Sequence, residues 1–435
     1  MSSCFSEKAK LLFLTGSVQT PAIIRSGDLR AENRARILRA LRHQGGLPRA
    51  ALGEATGLSQ AAISALTVQL ADAGILDITT RPNVRSRTGT PSRGRPQTLV
   101  ALAPAASHVL TAALTIDQLR TAIVDYAGNE LAAREHKLDT RALETEALLA
   151  VVIDSIESMI RQSPNGRVGH IGLGFQGVTG NERGELLWSP IIAARRVPLG
   201  ETLTRHFGVP AEVNNDCALI ASALHQSHAH RLGPNFAAVI FSHGVGLGLR
   251  LEGRAFTGVR SSALEIGHLR FAQHGALCRC GRRGCIEAYA SDYGIERLAR
   301  DASLDEKPPG RVNTAMLSQR LQQALDGEAQ ARLAFATAGA AVGEGLAALF
   351  ALFDSMPVAI VGRSDAAFSL MAETLRGALD AAGRDATGDA CDLHCFADEE
   401  PLLHAGLAFE TLDSHDRTIA MTPTETPSGD RQLSA

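Results

Sequence analysis

Four side chains of metal-ligand type between residues 268 and 285 constrain the fold more than any other feature of the sequence. They are His268, Cys278, Cys280 and Cys285, spaced as H-x9-C-x-C-x4-C. One imidazole and three thiolates suit tetrahedral Zn2+, and Gly281 and Gly284 allow tight turns between the ligands. Because four protein ligands leave no coordination position for water, the spacing predicts a structural zinc site. The alternative is that the thiols are buried as small apolar side chains.

The other cysteines do not indicate a disulfide framework. The chain has seven cysteines, an odd number, and three of them lie in the stretch 278–285, which favours metal ligation. Cys391, His394 and Cys395 form a second group of ligand-type residues. Their stretch is apolar and typical of a strand, so packing in a core is the favoured interpretation there.

Charge is distributed unevenly along the chain. Residues 28–100 contain eleven arginines, no lysine and five acidic residues, a formal charge of +6, which leaves −9 for the remainder. This asymmetry indicates a polyanionic partner for the N-terminal part. With 435 residues, of which 45% are hydrophobic, the chain is expected to form two or three folded units with sizeable cores.

The arginine-rich segment has the order of a helix-turn-helix. Apolar residues between Asn33 and Asp77 recur at helical spacing in three blocks, and Gly57 and Ser59 predict a turn and a helix N-cap before the third. The third helix, predicted at 60–73, is expected to reach base edges in a major groove. The residues predicted to face DNA are Arg49, Ser59, Gln60, Ala61, Ser64 and Thr67. The alternative is an ordinary packing module with solvated arginines.

A β-hairpin is predicted to follow as a wing, with strands at 74–78 and 99–102. The loop between them is rich in Arg, Gly and Pro. Its segment Arg93-Gly94-Arg95-Pro96 resembles the core of an AT-hook, in which arginines enter a narrow minor groove. Arg93 and Arg95 therefore join the predicted DNA contacts.

Beyond the wing, strands and helices alternate, which is typical of an α/β fold. Strands are predicted at 109–114, 121–124, 168–175, 211–213, 237–241 and 357–361. Helices are predicted at 144–160, 199–207, 216–225 and 336–352.

The segment Glu265-Ile266-Gly267-His268, followed by the cysteine-rich stretch that ends at Glu287, resembles the signature of the ROK family of repressors, open reading frames and kinases. The resemblance extends from the helix-turn-helix to about Ser414. It implies a two-lobed sugar-kinase/actin-like ATPase fold after the DNA-binding head. It also implies a sugar site, with His268 serving zinc as well. The implied sugar-binding residues are Asn215, Asp216, Glu265, His268 and Glu287.

Several positions depart from the pattern of the family's kinases. Ala113-Leu114-Thr115-Ile116-Asp117 stands in place of an Asp-x-Gly-x-Thr phosphate loop, and Gly362-Arg363 in place of a Gly-Gly pair. Gln176 replaces a usual proline, and Leu264 a usual glycine, near the sugar site. These losses predict a non-enzymatic protein in which Asp216 only orients the ligand. The alternative is an ATP-dependent hexose or amino-sugar kinase with a DNA-binding head, in which Asp216 is the catalytic base.

We therefore predict a cytoplasmic, sugar-responsive repressor of carbohydrate genes that binds a palindromic double-stranded operator as a homodimer or homotetramer. A small sugar or sugar derivative is expected to close the cleft between the lobes and change the spacing of the heads. The expected domains are a flexible segment at 1–30, the head at 31–103, the effector domain at 104–412 and a flexible tail at 413–435. No membrane partner is expected, since no run approaches the roughly 20 apolar residues that are needed to cross a bilayer. A further alternative is a regulator that responds to a protein of sugar transport.

Overall fold

The computed structural model describes residues 26–81, 97–163, 167–180, 184–241, 243–262, 264–310, 313–381 and 391–422. In these residues the helices are α1 (Ser26–Gln44), α2 (Arg49–Thr56), α3 (Gln60–Asp72), α4 (Thr145–Ile160), α5 (Leu199–Phe207), α6 (Asp216–Leu232), α7 (Glu287–Ala290), α8 (Asp292–Ala299), α9 (Thr314–Leu325), α10 (Ala329–Phe353), α11 (Asp365–Ala381) and α12 (Glu399–Met421). The strands are β1 (Leu47–Pro48), β2 (Leu76–Arg81), β3 (Gln97–Leu102), β4 (His108–Leu114), β5 (Gln118–Asp125), β6 (Glu130–Lys137), β7 (His170–Phe175), β8 (Val178–Gly180), β9 (Glu185–Trp188), β10 (Ala211–Asn215), β11 (Phe236–Phe241), β12 (Val245–Leu251), β13 (Arg254–Ala255), β14 (Val358–Val361) and β15 (Leu393–Phe396).

The head consists of α1 to α3 and a three-stranded sheet in the order β1-β3-β2. Helix α2 ends at Gly57, whose φ of 70° is readily adopted by glycine. Ser59 caps α3 by accepting a hydrogen bond from the backbone N–H of Ala62 at 3.3 Å. The three predicted helices, the turn and the hairpin strands are thus confirmed as structural elements.

Two five-stranded sheets form the two lobes of the α/β part. The first has the order β10-β7-β4-β5-β6, and the second the order β13-β12-β11-β14-β15. In the first, β7 runs parallel to both β4 and β10, and in the second β14 runs parallel to both β11 and β15. The predicted α/β alternation is confirmed, with α6 continuing past its predicted end to Leu232.

Helices α6 and α12 pack against each other between the two sheets. One buried apolar cluster joins Leu219 and Leu224 of α6, Leu407 of α12, Ala113 of the first sheet and Phe236 of the second. Since both helices contact both lobes through this cluster, a movement between the lobes must displace or strain them.

The head shares its core with the effector domain. Ile37 and Leu41 of α1 belong to the same buried cluster as Tyr126, which follows β5, and Leu412 and Ala420 of α12. The predicted boundary near residue 103 therefore does not separate two independent cores. An interface built this way restricts rotation of the head relative to the first lobe.

Two predicted boundaries are wrong. Residues 26–30 lie in α1, outside any flexible N-terminal segment. Residues 413–421 are the last turns of α12, where His415 and Asp416 are buried, so a flexible tail does not begin at 413. The polar composition of this stretch suggested a tail, but the side chains of His415 and Asp416 face partners in the fold.

By length and composition alone, helix α10 could cross a membrane. Among the residues that the structure describes, it is one helix that meets this criterion. The expectation that no segment approaches this length is therefore wrong. Half of its apolar window is buried inside the protein, where α10 packs against α8 and α11. Core helices of globular proteins have the same composition.

Candidate functional site

The five residues that the family resemblance assigned to sugar binding line one cavity between the lobes. Asn215 ends β10 and Asp216 begins α6, while Glu265 precedes a 3-10 turn that ends at His268, and Glu287 begins α7. The remaining lining residues include Gln176, Trp188, Pro190, Cys217, Gly244 and Leu264. The structure thus brings together groups that are up to 72 positions apart in the sequence, counted from Asn215 to Glu287.

Asn215 holds the start of α6 in place. Its Oδ1 accepts from the backbone N–H of Ala218 at 3.2 Å, and its Nδ2 donates to the Gly177 carbonyl at 2.5 Å and to Asp216 Oδ1 at 3.1 Å. Asp216 is 8% exposed, and burial raises its pKa to about 7, with a smaller contribution from the nearby Glu265 carboxylate. A carboxyl group of this kind exchanges a proton near neutral pH.

Two glycines of the segment 244–248 bring β12 against these residues. A Cβ on Gly246 would lie 2.3 Å from Cys217 Sγ, and a Cβ on Gly244 would lie 2.8 Å from Glu287 Oε2. Glycine at these two positions avoids both short contacts. In the structure these glycines make room for α6 and for a site carboxylate.

The cavity is rich in carboxylates. Glu287 is 5% exposed and its Oε1 accepts from the Tyr293 hydroxyl at 3.1 Å. Burial raises the pKa of Glu265, which the His268 imidazole partly offsets. Among the described lining residues there is no lysine or arginine. The walls therefore offer acceptors for hydroxyl or ammonium groups and no cation for a phosphate.

His268 and the three cysteines form a cluster that could hold a metal ion. Their ligand atoms all lie within 4.8 Å of one another. Cys278 Sγ is 3.8 Å from His268 Nδ1, and Cys280 Sγ is 3.8 Å from Cys285 Sγ. Two thiolates bound at about 2.3 Å to one tetrahedral ion would be about 3.8 Å apart, so the donor set fits such an ion.

The two imidazole nitrogens of His268 have different neighbours. Nδ1 faces the thiols, while Nε2 lies 3.4 Å from Glu265 Oε2 on the side of the cavity. A metal on Nδ1 would hold the ring in a fixed orientation and would leave Nε2 to carry a proton toward the carboxylate.

On the head, four predicted DNA contacts lie at the surface near the start of α3. Ser59, Gln60, Ala61 and Ser64 are exposed. The prediction for Thr67 is wrong: its side chain is fully buried, and its hydroxyl donates to the Ile63 carbonyl at 2.7 Å. Helical spacing placed it beside Ser64, but α3 turns that position toward α2.

Arg49 is half-buried at the start of α2, where its Nε donates to Thr67 Oγ1 at 3.2 Å. This contact joins α2 to α3, the two helices on either side of the Gly57 turn. Arg93 and Arg95 lie outside the described residues.

Arg363, which replaces the second glycine of the family's Gly-Gly pair, is 5% exposed, and two of its nitrogens bind protein groups. Its guanidinium donates to Asp292 Oδ1 at 2.8 Å and to the Ala290 carbonyl at 3.2 Å, and it lies 5.0 Å from the centre of the Phe241 ring. The ion pair ties the end of β14 to the start of α8. Because its guanidinium already binds these protein groups, Arg363 is not available to bind a phosphate.

Sequence reasoning missed Trp188 at the site and a polar junction far from it. Trp188 carried one signal, because it is the single tryptophan of the chain. At the junction, Arg42 of α1 makes a buried two-pronged salt bridge to Asp416 of α12, at 3.0 and 2.8 Å. Tyr126 donates its hydroxyl to the same carboxylate at 2.6 Å. No local pattern links these three positions.

Comparisons with known proteins agree on one family. A model described as the ROK family matches residues 114–391. The chain is 25% identical to a xylose repressor of Caldicellulosiruptor bescii over 366 residues, which cover 80% of this chain and 87% of that one. It is 27% identical to the DNA-binding transcriptional repressor Mlc of Escherichia coli, over 66% of this chain and 72% of that one. A glucokinase of Streptomyces coelicolor is 29% identical over 41% of this chain and 58% of its own.

The solved structures show the same fold. A ROK family transcriptional regulator, described as a homolog of the E. coli Mlc protein, superimposes with a TM-score of 0.73 at 22% identity and covers 90% of this chain and 99% of its own. A ROK family glucokinase from Streptomyces griseus, crystallised with glucose and AMPPNP, gives 0.54 at 21% identity and covers 70% of this chain and 98% of its own. The regulator thus matches a larger part of this chain than the kinase does.

Proposed function

The chain belongs to the ROK family, and on that premise we propose that it is a sugar-responsive, DNA-binding transcriptional repressor. The main support for this proposal is that packed elements connect the cavity to the head. A cavity lined by groups that can bind hydroxyls lies at the start of α6, α6 packs on α12, and α12 is joined to the head by the Arg42–Asp416 salt bridge. The relatives named xylose repressor and Mlc support the same proposal.

The proposed effector is a neutral monosaccharide. The carboxylates of Asp216, Glu265 and Glu287 accept hydrogen bonds from its hydroxyls, and Asn215 orients the first of them. A phosphorylated sugar would bring two negative charges to three carboxylates without a compensating cation, which electrostatics disfavours. The chemistry of the walls therefore favours the free sugar.

Effector binding must move the walls of the cavity. Its volume here is about 50 Å3, whereas pockets for small ligands usually have about 300–1,000 Å3. We therefore infer that the sugar widens this cavity, a direction opposite to the cleft closure expected from the sequence. The ligand shifts the equilibrium to the extent that it binds the widened state more tightly.

The movement would reach the head through α6 and α12. Asp216 begins α6, and α12 runs from Glu399 near the cavity to Asp416 at the head, about 25 Å along a helix at 1.5 Å per residue. Arg34 and Arg42 of α1 bind the C-terminal part of α12, through the Ala420 carbonyl at 2.9 Å and the Asp416 carboxylate. A displaced α12 would thus carry the head with it.

We further propose that the cluster of His268, Cys278, Cys280 and Cys285 holds a structural Zn2+. The ion would supply cross-linking of the loop and no reaction chemistry, since four protein ligands leave no open position. The loop so held carries His268 and ends at Glu287. The Zn2+ held by this loop would act on the effector site by positioning His268 and Glu287.

DNA binding is assigned to the head, which we propose is a winged helix-turn-helix with α3 as its recognition helix. Arg49, Ser59, Gln60, Ala61 and Ser64 would contact the operator, with Arg93 and Arg95 entering the minor groove. A palindromic operator bound by a symmetric homodimer or homotetramer is the arrangement that this kind of head usually serves.

A kinase is the second candidate, because a buried carboxyl group with a pKa near 7, as at Asp216, suits a general base. Two features argue against phosphoryl transfer, which depends on positioning the phosphates: Arg363 is engaged in protein contacts, and Ala113 and Thr115 stand where a phosphate loop has its acid and its glycine. We therefore propose that the protein is not an enzyme.

One experiment separates the two candidates. Purified protein is used to select DNA fragments, and D-xylose, D-glucose and N-acetyl-D-glucosamine are then titrated against the best fragment at fixed salt concentration. Release of a palindromic fragment by one sugar, lost in Asp216→Asn, supports the repressor. Sugar-dependent ATP consumption that is also lost in Asp216→Asn, without sequence-selective DNA binding, would replace it by the kinase.

A further inference from the structure

Trp188 adds an aromatic residue to the lining of a cavity whose other functional groups are polar. It is the last residue of β9, half-buried, and its indole lies 6.0 Å from the His268 ring at an interplanar angle of 60°. Pro190 and Leu264 add further apolar surface to the same lining. A ligand that fills this cavity must therefore present an apolar face as well as hydrogen-bond donors.

We propose that Trp188 selects the ring form of the effector, by stacking its indole on the C–H face of a pyranose while the carboxylates bind the hydroxyls. This deepens the proposed function and rests on it. A pyranose has C–H groups on its faces and hydroxyls at its rim, so it satisfies both kinds of wall. An acyclic polyol carries the same hydroxyls but no flat C–H face, and it gains little from an indole.

The backbone around Trp188 is held in a fixed position. Ser189 donates its hydroxyl to the Gln176 carbonyl at 2.6 Å and accepts from the Ile191 N–H at 3.1 Å. Gly177 has a φ of 146°, and a Cβ there would lie 2.5 Å from the Trp188 carbonyl oxygen. Only glycine allows this approach of the two backbones.

The same segment connects Trp188 to the polar side of the site. The Gly177 carbonyl accepts the 2.5 Å hydrogen bond from Asn215 Nδ2, and Asn215 also binds Asp216. The Trp188 backbone and the Asp216 carboxylate are therefore placed relative to each other by a short chain of contacts through the Gly177 backbone and the Asn215 side chain. Such preorganisation is what allows one side chain to discriminate between ligands.

The test uses the chain's single tryptophan as its own reporter. D-xylose, D-glucose and N-acetyl-D-glucosamine are titrated while indole emission is followed, with xylitol and D-glucitol as acyclic partners. We expect one pyranose to change the emission in a saturable manner, at the same concentrations that release the operator. Calorimetry then gives its affinity for wild type, Trp188→Phe and Trp188→Ala.

Trp188→Phe should keep most of the affinity and the preference for pyranose over alditol. Trp188→Ala should lose about tenfold to a hundredfold in pyranose affinity, as expected for about 1.5–3 kcal/mol of apolar contact, and most of the preference. The matched control is Phe256→Ala, since Phe256 packs edge-to-face on Phe353 and does not line the cavity. It should leave both quantities unchanged.

Each contrary result has its own meaning. If a pyranose releases the operator but Trp188→Ala keeps its affinity and its preference over the alditol, the role of Trp188 is wrong and the repressor stands. If the operator binds but no pyranose changes emission or operator binding, the ligand class is wrong. If a pyranose changes the emission but no operator is bound, the proposal of a repressor is wrong. The stacking role then stands on the affinity losses expected for the Trp188 variants.

Discussion

Gly406 of α12 lies directly against Leu219 of α6, so closely that a Cβ on Gly406 would be 1.9 Å from the Leu219 carbonyl oxygen. The backbones of the two helices are therefore in contact three residues after the site carboxylate Asp216. A similar approach brings Thr411 of α12 onto Gly172 of β7. With no side chain between them, α6 and α12 cannot move independently, and this contact is part of the route by which we propose that a ligand at Asp216 acts on the head.

Gly406→Ala is expected to push α12 away from α6 and to destabilise the protein by about 1–3 kcal/mol, because backbone has to yield to the new methyl group. Urea unfolding measures the loss. Gly377→Ala in α11 is the control, since nothing lies within 4 Å of its added Cβ. It should stabilise by up to about 1 kcal/mol through helix propensity. Equal stability of the two variants would show that the helices are not in tight contact.

Asp416→Asn should destabilise the protein by about 3 kcal/mol and weaken operator binding. Both side chains of the pair are almost completely buried, at 4% and 3% exposure, so the Arg42 charge would lose its counter-charge in a site that water does not reach. Asp413→Asn, one turn earlier and paired with half-exposed arginines, should cost less than about 1 kcal/mol. Thermal unfolding and operator titration are the measurements. Intact operator binding in a folded Asp416→Asn protein would remove α12 from the coupling route.

Stability should fall as pH rises from 6.5 to 8. Burial, together with Asp216 and Asp292, raises the pKa of Glu399 to about 8. The folded protein then holds a proton that the unfolded chain has already released, so the stabilisation present at low pH is lost as pH passes through 8. Burial raises the pKa of Asp216 and Glu212 to about 7, which acts in the same direction.

Buried histidines oppose this trend only below pH 6.5, because burial lowers the pKa of His170, His404 and His415 to about 4 from an ordinary value of 6.5. Glu399→Gln should therefore flatten the fall in melting temperature between pH 6.5 and 8. Glu400→Gln, with its exposed side chain next in sequence, should keep the wild-type slope. Identical slopes for all three proteins would contradict the assignment to Glu399.

Cys280→Ser is expected to lose bound metal, thermal stability and the response to sugar together, since the ligand atoms of the cluster lie within 4.8 Å of one another and the loop positions His268 and Glu287. Cys391→Ser is the matched control, because Cys391 is outside the cluster. It should keep its metal. Metal content by elemental analysis, with melting temperature, tests the pair, and a metal-free Cys280→Ser protein with a normal sugar response would refute the positioning role.

The outcome at α3 shows where local pattern reaches its limit. Ser59, Gln60 and Ser64 are exposed as their spacing predicts, but Thr67 is buried because α2 covers that part of the helix. The prediction for the last turns of α12 was wrong in the opposite direction. Their polar composition predicted an exposed tail, whereas Asp416 is buried against Arg42 and Tyr126. In both places a distant element decided which face is covered, and helical spacing carries no information about it.

The sequence by itself determined the features that depend on residues close together in the chain. The Ser59 cap, the Gly57 turn and the Cys278–Cys285 ligand spacing belong here, because capping and metal geometry involve only a few neighbouring positions. The family signature also identified the cavity residues. Only the tertiary structure placed Trp188 beside His268 and paired Arg42 with Asp416 across 374 positions. Such contacts arise from the packing of preformed helices and strands in space, and burial makes them strong only after the chain has folded.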